Sequence, residues 1–379
     1  MSNLGVYVHW PFCTAICPYC DFNVYRARGQ DVEGLLGAIV ADLEAHARRG
    51  VKGPADTLFL GGGTPSLLDP VAIGLLIEAV DRVLGLKAGA EITLEANPED
   101  WARFASQAAA GVNRFSLGVQ ALDDGSLKAL GRFHSAAEAR RAVDAAAATG
   151  QRVSLDLIYA RQGQTLSAWE AELGAALTWP VEHVSLYQLT VEADTAFGRR
   201  QARGQLALPE GEEAAVFYEL TQVVTAAAGF EAYEISNHAR GRAAWSAHNL
   251  IYWTGGQWLG LGPGAHGRIV DEQGRWLATE ALARPQAYAD AVRSGAAPWA
   301  DAVALSALEL GDERLVMGLR TVLGASRQDV EALWGRAMDA DVFATLEQQG
   351  FLRVADGVLR LTPAGLLVAD RVALELASG

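Results

Sequence analysis

All cysteines of the sequence lie in one short stretch. Cys13, Cys17 and Cys20 fall within eight residues, and the other positions of the 379-residue chain carry no cysteine. An odd number of crowded thiols without a distant partner does not make a disulfide framework and indicates a reducing compartment. Three thiolates can bind three irons of a four-iron, four-sulfur cluster and leave the fourth iron open to an external ligand. A zinc site completed by a histidine such as His9 is the alternative, although structural zinc sites usually draw ligand pairs from two separate segments.

A second candidate binding segment is rich in glycine. Gly61, Gly62 and Gly63, followed by Thr64 and Pro65, come directly after a run of strand-forming residues. Residues without a Cβ atom let the main chain approach a ligand closely. A phosphate-binding loop is excluded because no Gly-Lys-Ser/Thr sequence follows.

The elements that must position these segments repeat along the chain. Short runs of β-branched and aromatic residues alternate with Ala- and Leu-rich stretches of helical periodicity, and the spacing is that of one strand plus one helix, about 30 residues. Such repeats predict an α/β fold with a parallel sheet and right-handed crossovers, closed or partly closed as a barrel. The predicted strands are Gly5–His9, Thr57–Leu60, Glu91–Ala96, Arg114–Val119, Val153–Tyr159 and His183–Gln188.

Polar residues mark the carboxyl ends of these predicted strands. Glu95, Gln120, Asp156 and Tyr187 each stand at or near such an end, and the glycine run follows another. Any one of them is compatible with a helix cap or a turn. Because they recur over successive strands, and because barrel proteins place their chemistry at this face, the sequence predicts a binding site at the barrel mouth.

The character of the sequence changes beyond about residue 285. Residues 306–378 predict two helices, a hairpin that turns at Asp356-Gly357 and a final helix, which is the pattern of a small winged-helix-like module. Asp, Glu and Arg are mixed there without a basic stripe, which favours a packing or lid role over DNA binding. The chain carries 31 Lys and Arg against 45 Asp and Glu, a formal charge of −14, so neither nucleic acid nor anionic lipid is an expected partner.

The amino-terminal segment predicts neither export nor membrane insertion. It lacks the basic and apolar regions of a signal peptide. Charged residues interrupt every apolar run before it reaches the ~18 to 20 residues of a membrane-spanning helix. We therefore expect a cytoplasmic protein without an integral membrane segment. The oligomeric state is left open, with a monomer and a homodimer both compatible.

The cysteine segment resembles the signature of a known family. Tyr7-Val-His-Trp-Pro-Phe-Cys13-x3-Cys17-x2-Cys20, together with the glycine run, is similar to the radical S-adenosylmethionine enzymes, in the branch of the oxygen-independent coproporphyrinogen III dehydrogenase HemN. The resemblance implies a partial (β/α)6 TIM-like barrel, a [4Fe-4S] cluster on the three cysteines, and S-adenosylmethionine chelated by the open iron. It also assigns the cofactor contacts to Tyr7, Tyr19, Gly61, Gly62, Gly63, Thr64, Glu95, Gln120, Arg132 and Asp156. Arg132 is also compatible with a solvated cation at the start of a helix.

Two features separate the sequence from HemN-type dehydrogenases. Phe22, which we place among the cofactor-binding residues, occupies the position of their fourth cysteine. The segment His248-Asn-Leu-Ile-Tyr-Trp resembles the HNxxYW motif of the HemW haem chaperones. That resemblance implies haem as a further ligand, with aromatic rings packing on the macrocycle. His248 is the favoured ligand of the haem iron, His266 is the alternative, and His238 is a weaker one.

One local departure concerns the segment after the predicted strand that holds Asp156. Ala160-Arg-Gln-Gly-Gln-Thr stands where the family commonly has Gly-Leu-Pro-Gly-Gln-Thr. The turn glycine and the Gln-Thr pair are kept. The departure affects the expected backbone conformation near Asp156.

The resemblance covers nearly the whole chain and predicts three parts. These are a radical S-adenosylmethionine barrel over residues 1–235, a connecting segment with the HNxxYW motif over 236–285, and a HemN-type C-terminal domain over 286–379.

Two functions from different classes follow. The first is a carrier that binds haem and hands it to acceptor proteins such as respiratory haemoproteins. The second is an enzyme, a coproporphyrinogen III dehydrogenase, in which the reduced cluster cleaves S-adenosylmethionine and the resulting radical takes hydrogen from a propionate during oxidative decarboxylation. Phe22 and the HNxxYW segment favour the carrier. Because the cofactor-binding positions are retained, enzymatic activity is left open.

Overall fold

A twelve-stranded sheet is the frame of the molecule in the computed structural model, which describes residues 3–378. The strands run in the spatial order β12-β11-β10-β9-β1-β2-β3-β4-β5-β6-β8-β7. Their bounds are β1 Leu4–Trp10, β2 Ala55–Gly62, β3 Leu86–Ala96, β4 Arg114–Gln120, β5 Arg152–Tyr159, β6 His183–Gln188, β7 Glu231–Ala232, β8 Asn237–Ala239, β9 Gln257–Leu261, β10 His266–Val270, β11 Trp276–Ala281 and β12 Trp299–Ala304.

Seven neighbouring strands, from β9 through β1 to β6, are parallel. Six of them, β1 to β6, coincide with the strands predicted from the sequence, so the predicted α/β fold with a parallel sheet is confirmed. The remaining strands pair in antiparallel fashion and extend the sheet at both ends. The sheet therefore continues to residue 304, past the predicted boundary at 285.

Helices cover the outer face of the parallel strands, as the sequence pattern requires. In α2, Asp69 caps the first turn by accepting a hydrogen bond from the Val71 amide, and Ile73, Leu76 and Val80 bury one stripe against the sheet. The helices of this part are α1 Val32–Arg48, α2 Pro70–Leu84, α3 Phe104–Ala109, α4 Asp124–Ala129, α5 Ala136–Ala148, α6 Leu166–Ala176, α7 Ala196–Gln201, α8 Gly211–Ala227, α9 Ala247–Trp253 and α10 Pro285–Arg293.

Alternate residues of each parallel strand face two different environments. In β1, Val6 and Val8 are buried in the apolar core shared with the helices, whereas Tyr7 faces the barrel interior. The barrel interior is accordingly polar, and the apolar core lies outside the barrel, between the strands and the helices.

The C-terminal part has an apolar core of its own, which includes Leu315, Leu346 and Leu359. The predicted hairpin forms between β14 and β15, with Asp356 and Gly357 at positive φ in its two-residue turn. The elements are α11 Ala307–Leu319, β13 Ala325–Ser326, α12 Arg327–Trp334, α13 Ala340–Gln348, β14 Leu352–Ala355, β15 Val358–Leu361, α14 Pro363–Leu366 and α15 Ala369–Ser378.

Few polar contacts join this part to the barrel. Arg268 on β10 forms an ion pair of 3.1 Å with Glu313 on α11, and the Val322 amide donates a hydrogen bond of 3.0 Å to the Tyr233 carbonyl. In residues 3–378, no helix combines the length and the apolar composition that crossing a bilayer requires.

Candidate functional site

A cavity of about 510 Å³ opens at the carboxyl ends of the parallel strands, where the sequence places the site. Its volume lies in the range of ligand pockets, about 300 to 1,000 Å³. Most of the predicted site residues line it, and three do not, since Tyr7, Gly61 and His248 lie elsewhere. Those that line it are Cys13, Cys17, Cys20, Tyr19, Phe22, Gly62, Gly63, Thr64, Glu95, Gln120, Arg132 and Asp156.

The three cysteines lie on one loop, residues 13–24, which we call the cluster loop. Its two ends are held together because the short strand Phe12–Cys13 pairs with Tyr25–Arg26. Asn23 fixes the loop to the rest of the barrel, since its amide nitrogen donates to the carbonyls of Pro263 (2.9 Å) and Ala283 (2.8 Å). Sequence reasoning missed Asn23, because a loop asparagine carries no periodic signal.

The chemistry of the thiols fits a cluster that replaces their protons. Burial raises the pKa of Cys13 and raises that of Cys20 to about 11, so both are protonated at neutral pH until a metal displaces the proton. Within residues 3–378, no three His, Cys, Asp or Glu side chains converge on a single metal ion. A four-iron cluster takes each thiolate on a different iron and therefore needs no such convergence. His9, considered for a zinc site, has its ring nitrogens hydrogen-bonded to the Tyr7 hydroxyl and to the Asn23 carbonyl.

The glycine run brings the backbone of β2 against the cluster loop. A Cβ atom at Gly63 would lie 3.0 Å from the Cys13 sulfur and 2.9 Å from the Trp10 carbonyl oxygen. Gly62 has a φ of 101° and its Cβ would lie 2.6 Å from the His9 ring. Only glycine fits these positions, because a Cβ atom there would collide with β1 and the cluster loop.

Two carboxylates from separate strands meet in the barrel interior. Glu95 accepts a hydrogen bond of 2.9 Å from the Gly62 amide, and Asp156 accepts from the Ser116 hydroxyl at 3.1 Å. Burial, and then the charge of Asp156, raises the pKa of Glu95 to about 8. Burial raises the pKa of Asp156 to about 6, against the hydrogen bonds from Ser185 and Ser116 and the charge of Arg114. These groups favour a cationic ligand or one that donates hydrogen bonds.

Arg132 is part of the cavity wall and is not a solvated cation. Its guanidinium donates to the Cys17 sulfur at 3.5 Å, to the Asn97 side-chain carbonyl at 2.6 Å and to the Gly118 carbonyl at 2.9 Å. This places a positive charge beside the cluster loop, where it favours a ligand group of negative charge.

A second, polar cavity of about 200 Å³ lies deeper in the barrel and is called here the lower chamber. Glu95 and Asp156 line both cavities, whereas Tyr7 lines only the lower one. The Tyr7 hydroxyl is hydrogen-bonded to His9 Nδ1 at 3.0 Å, and its ring lies where a Cβ atom of Gly61 would come within 3.0 Å. Tyr7 and Gly61 therefore lie one layer beneath the ligand cavity.

His248 lies at the floor of the barrel, at the end opposite to the cysteines. It belongs to α9, and its ring nitrogens are hydrogen-bonded to the hydroxyls of Thr57 (2.7 Å) and Tyr252 (2.6 Å). Its amide donates to Glu91 at 3.0 Å, and burial lowers the pKa of its ring to about 3. His248 does not line the ligand cavity, but it lines the lower chamber with Tyr7, Glu95 and Asp156, and its ring centroid lies 6.4 Å from that of Tyr7. Of the seven histidines, His266 alone is exposed.

Large apolar side chains surround the mouth of the cavity. Ile16, Phe22 and Phe133 line it and are 45%, 59% and 75% exposed. Three such side chains at one opening form an apolar rim, which is unusual at a solvated surface and typical of a docking site for an apolar ligand.

Comparison with known proteins defines the class of the chain. The family model "Radical SAM superfamily" matches residues 7–173, and the model "HemN C-terminal domain" matches residues 305–368. A solved structure of coproporphyrinogen III oxidase (HemN) from Escherichia coli covers 100% of this chain and 90% of its own, with a TM-score of 0.83 at 20% identity. The fold is therefore that of a radical S-adenosylmethionine protein with a HemN-type C-terminal domain.

Curated relatives narrow the class to one family. "Heme chaperone HemW" is 33% identical in Bacillus subtilis, over 97% of both chains, and 38% identical in Mycobacterium tuberculosis, over 98% of this chain and 94% of the relative. "Radical S-adenosyl methionine domain-containing protein 1, mitochondrial" from Bos taurus is 38% identical over 100% of this chain and 88% of the relative. The chain belongs to the HemW family. Its radical S-adenosylmethionine domain implies a [4Fe-4S] cluster and S-adenosylmethionine as cofactors.

Proposed function

We propose that the protein is a haem chaperone of the cytoplasm. In this function Cys13, Cys17 and Cys20 hold the [4Fe-4S] cluster, the cavity beside them holds S-adenosylmethionine, and haem docks at the apolar rim before its transfer to an acceptor haemoprotein. The observation that carries the proposal is the rim itself, where Phe22 is exposed in place of a polar or ligating side chain. A planar, largely apolar macrocycle is the kind of ligand that such a surface favours. The names of the curated HemW relatives support the same activity.

Two histidines compete as ligands of the haem iron. His248 is supported by its motif, but binding through its ring requires α9 to leave the barrel floor and two hydroxyl partners to be released. His266 is exposed in the described conformation. His266 is two residues after Gly264, and Gly264 packs against Asn23. Asn23 is the residue next to Phe22 of the rim, so His266 belongs to a segment that lies beside the rim. The described conformation therefore favours His266.

A haem titration of the anaerobically reconstituted protein tests these assignments. We expect a one-to-one complex with a shifted Soret band, and His266→Ala to weaken haem binding about tenfold, equivalent to roughly 1.4 kcal/mol. We expect His248→Ala to lower the thermal stability and to leave the Soret maximum of the complex unchanged. The reverse pattern would assign the iron to His248. A parent protein that shows no saturable haem complex, or that transfers no haem to apomyoglobin, would remove the chaperone proposal.

A radical dehydrogenase is the second candidate, because Glu95, Gln120, Arg132 and Asp156 all line the cavity with the cysteines. The reduced protein would be incubated anaerobically with S-adenosylmethionine and coproporphyrinogen III. Formation of protoporphyrinogen would establish the dehydrogenase, and the absence of turnover with an intact cluster would exclude it for this substrate.

A further inference from the structure

Two strand ends beside the cavity adopt a backbone conformation that residues with a Cβ atom rarely take. Gln120 at the end of β4 has a φ of 71°, after a register shift between Gly118 and Gln120. Ala160, directly after β5, has a φ of 55°. Such conformations persist only where the surrounding structure fixes them, and they cluster at functional sites.

A buried ion pair lies between these two strand ends. Arg161 Nη2 is 2.6 Å from Glu172 Oε2, and both side chains are only 9% exposed. Glu172 is on α6, the helix that follows β5. At this burial the pair is weakly screened by solvent, and removing Arg161 leaves the charge of Glu172 without its ion-pair partner. Asp123 Oδ2 also lies 3.9 Å from Arg161 Nη2.

The pair binds the main chain of both strand ends. Arg161 Nη1 donates to the Ile158 carbonyl at 2.7 Å and makes a longer contact of 3.5 Å with the Gln120 carbonyl. Glu172 Oε1 accepts from the Leu122 amide at 2.8 Å. The ends of β4 and β5 are thereby tied to each other and to α6.

Gln120 is the residue through which this arrangement reaches the ligand. Its side chain lines the cavity, and its buried Oε1 has no hydrogen-bond partner within residues 3–378. A buried acceptor of this kind requires a donor, and the ammonium and hydroxyl groups of S-adenosylmethionine are donors. Because φ of Gln120 sets the direction of its side chain, whatever fixes the backbone there also positions the acceptor.

We propose that Arg161 and Glu172 are positioning residues that hold Gln120 in its left-handed conformation and so determine the affinity for S-adenosylmethionine. The inference rests on the cofactor assignment within the proposed function, and it concerns neither the cluster ligands nor the haem.

The test compares Arg161→Leu and Glu172→Gln in the full chain. Glu172→Gln keeps an acceptor for Leu122 and loses the charge, which makes it the milder variant. Arg371→Leu is the control, since it removes an ion pair of 2.8 Å between Arg371 and Glu375 on the outer face of α15, where Arg371 is exposed. Binding of S-adenosylmethionine would be measured by equilibrium dialysis, alongside iron content, haem binding and thermal stability. Hydrogen exchange of the cofactor-free protein would follow the amides of residues 119–123.

We expect Arg161→Leu to weaken S-adenosylmethionine binding about tenfold and Glu172→Gln to weaken it less, with iron content and haem binding unchanged. The Leu122 amide should exchange at least tenfold faster in Arg161→Leu than in the parent. In Arg371→Leu its exchange rate should equal that of the parent. Unchanged cofactor affinity in both variants would overturn the proposal, even if the thermal stability falls, because a merely structural pair would lower stability alone. Unchanged exchange at residues 119–123 would also overturn it. If the parent protein binds S-adenosylmethionine but no haem, the chaperone function is refuted, and this inference is still tested by the cofactor affinities of the two variants.

Discussion

Glu95 couples the protonation of the barrel interior to folding. Its pKa is raised to about 8 in the folded protein, first by burial and then by Asp156, whereas an unfolded glutamate titrates near 4.3. The folded state therefore binds more protons than the unfolded state between these two pH values. The stabilisation is complete below about pH 4.3 and is lost as the pH rises through 8.

Glu95→Gln should remove this pH dependence from the cofactor-free protein. The unfolding free energy of the parent should fall relative to that of the variant between about pH 4.5 and 8, by up to about 1.4 kcal/mol per pH unit. Chemical denaturation across this pH range measures the difference. Glu33→Gln, at an exposed position of α1, is the control and should run parallel to the parent. Parallel profiles for Glu95→Gln would contradict the raised pKa.

At this scale the sequence predicted residues that stand at strand ends. Glu95, Gln120 and Asp156 were identifiable because parallel strands gather their carboxyl ends at one face. Asn23 and Arg161 could not be identified in this way. Their side chains bind backbone carbonyl groups, and the periodicity of a sequence does not indicate which carbonyl groups a side chain will reach. His248 stays a prediction as a haem ligand, and its buried position on α9 was hidden because its motif specifies residue types and not their environment.

The cluster loop is an element held at its ends and by one side chain. Replacing Asn23 with alanine removes two hydrogen bonds to backbone carbonyls, which are worth about 1 kcal/mol each. We expect Asn23→Ala to release iron to a chelator about tenfold faster than the parent, because the loop opens more often. Asn113→Ala is a matched control, since it also loses two backbone hydrogen bonds, to Ile92 and Ala90, away from the loop. Equal rates of iron release in the two variants would show that Asn23 does not hold the loop closed.

Elements with a strong pattern were predictable and short ones were not. The strands β1 to β6 carry β-branched or aromatic runs bounded by turn residues, and each was identified. The segment Gln257–Leu261 reads as loop because glycines surround it, yet it pairs in parallel with β1. This segment is a strand because it pairs with β1, which is distant in the sequence. The intrinsic strand preference of its own residues does not predict it.

The two parts of the molecule have separate apolar cores, and the ligand cavity belongs to one of them. Leu359 is fully buried in the C-terminal core, whereas the residues that line the ligand cavity all precede position 193. Leu359→Ala should therefore lower the unfolding free energy by about 2 to 5 kcal/mol and leave the affinity for S-adenosylmethionine unchanged. Chemical denaturation and equilibrium dialysis measure the two effects, with exposed Leu374→Ala as the control. A matching loss of cofactor affinity would mean that the C-terminal part shapes the cavity directly.

At the scale of the whole molecule, the sequence predicted a barrel followed by a small C-terminal module. It did not predict that the sheet runs on to residue 304, nor that α9 closes the barrel floor between the sheet and α11. Both depend on how distant segments pack, and the acidic composition that excluded some partners carries no information on packing.

Because all cysteines lie in the cluster loop, the reactivity of the thiols indicates whether the cluster site is occupied. Every sulfhydryl of the chain belongs to the cluster loop, and Cys17 and Cys20 are only half-buried. Under the proposed assignment of the three cysteines to the cluster, any thiol that reacts with an alkylating reagent is a vacated cluster ligand, and the chain has no other cysteine that could contribute a background. Counting modified sulfhydryls by mass then measures cluster occupancy molecule by molecule, without recourse to colour or iron analysis.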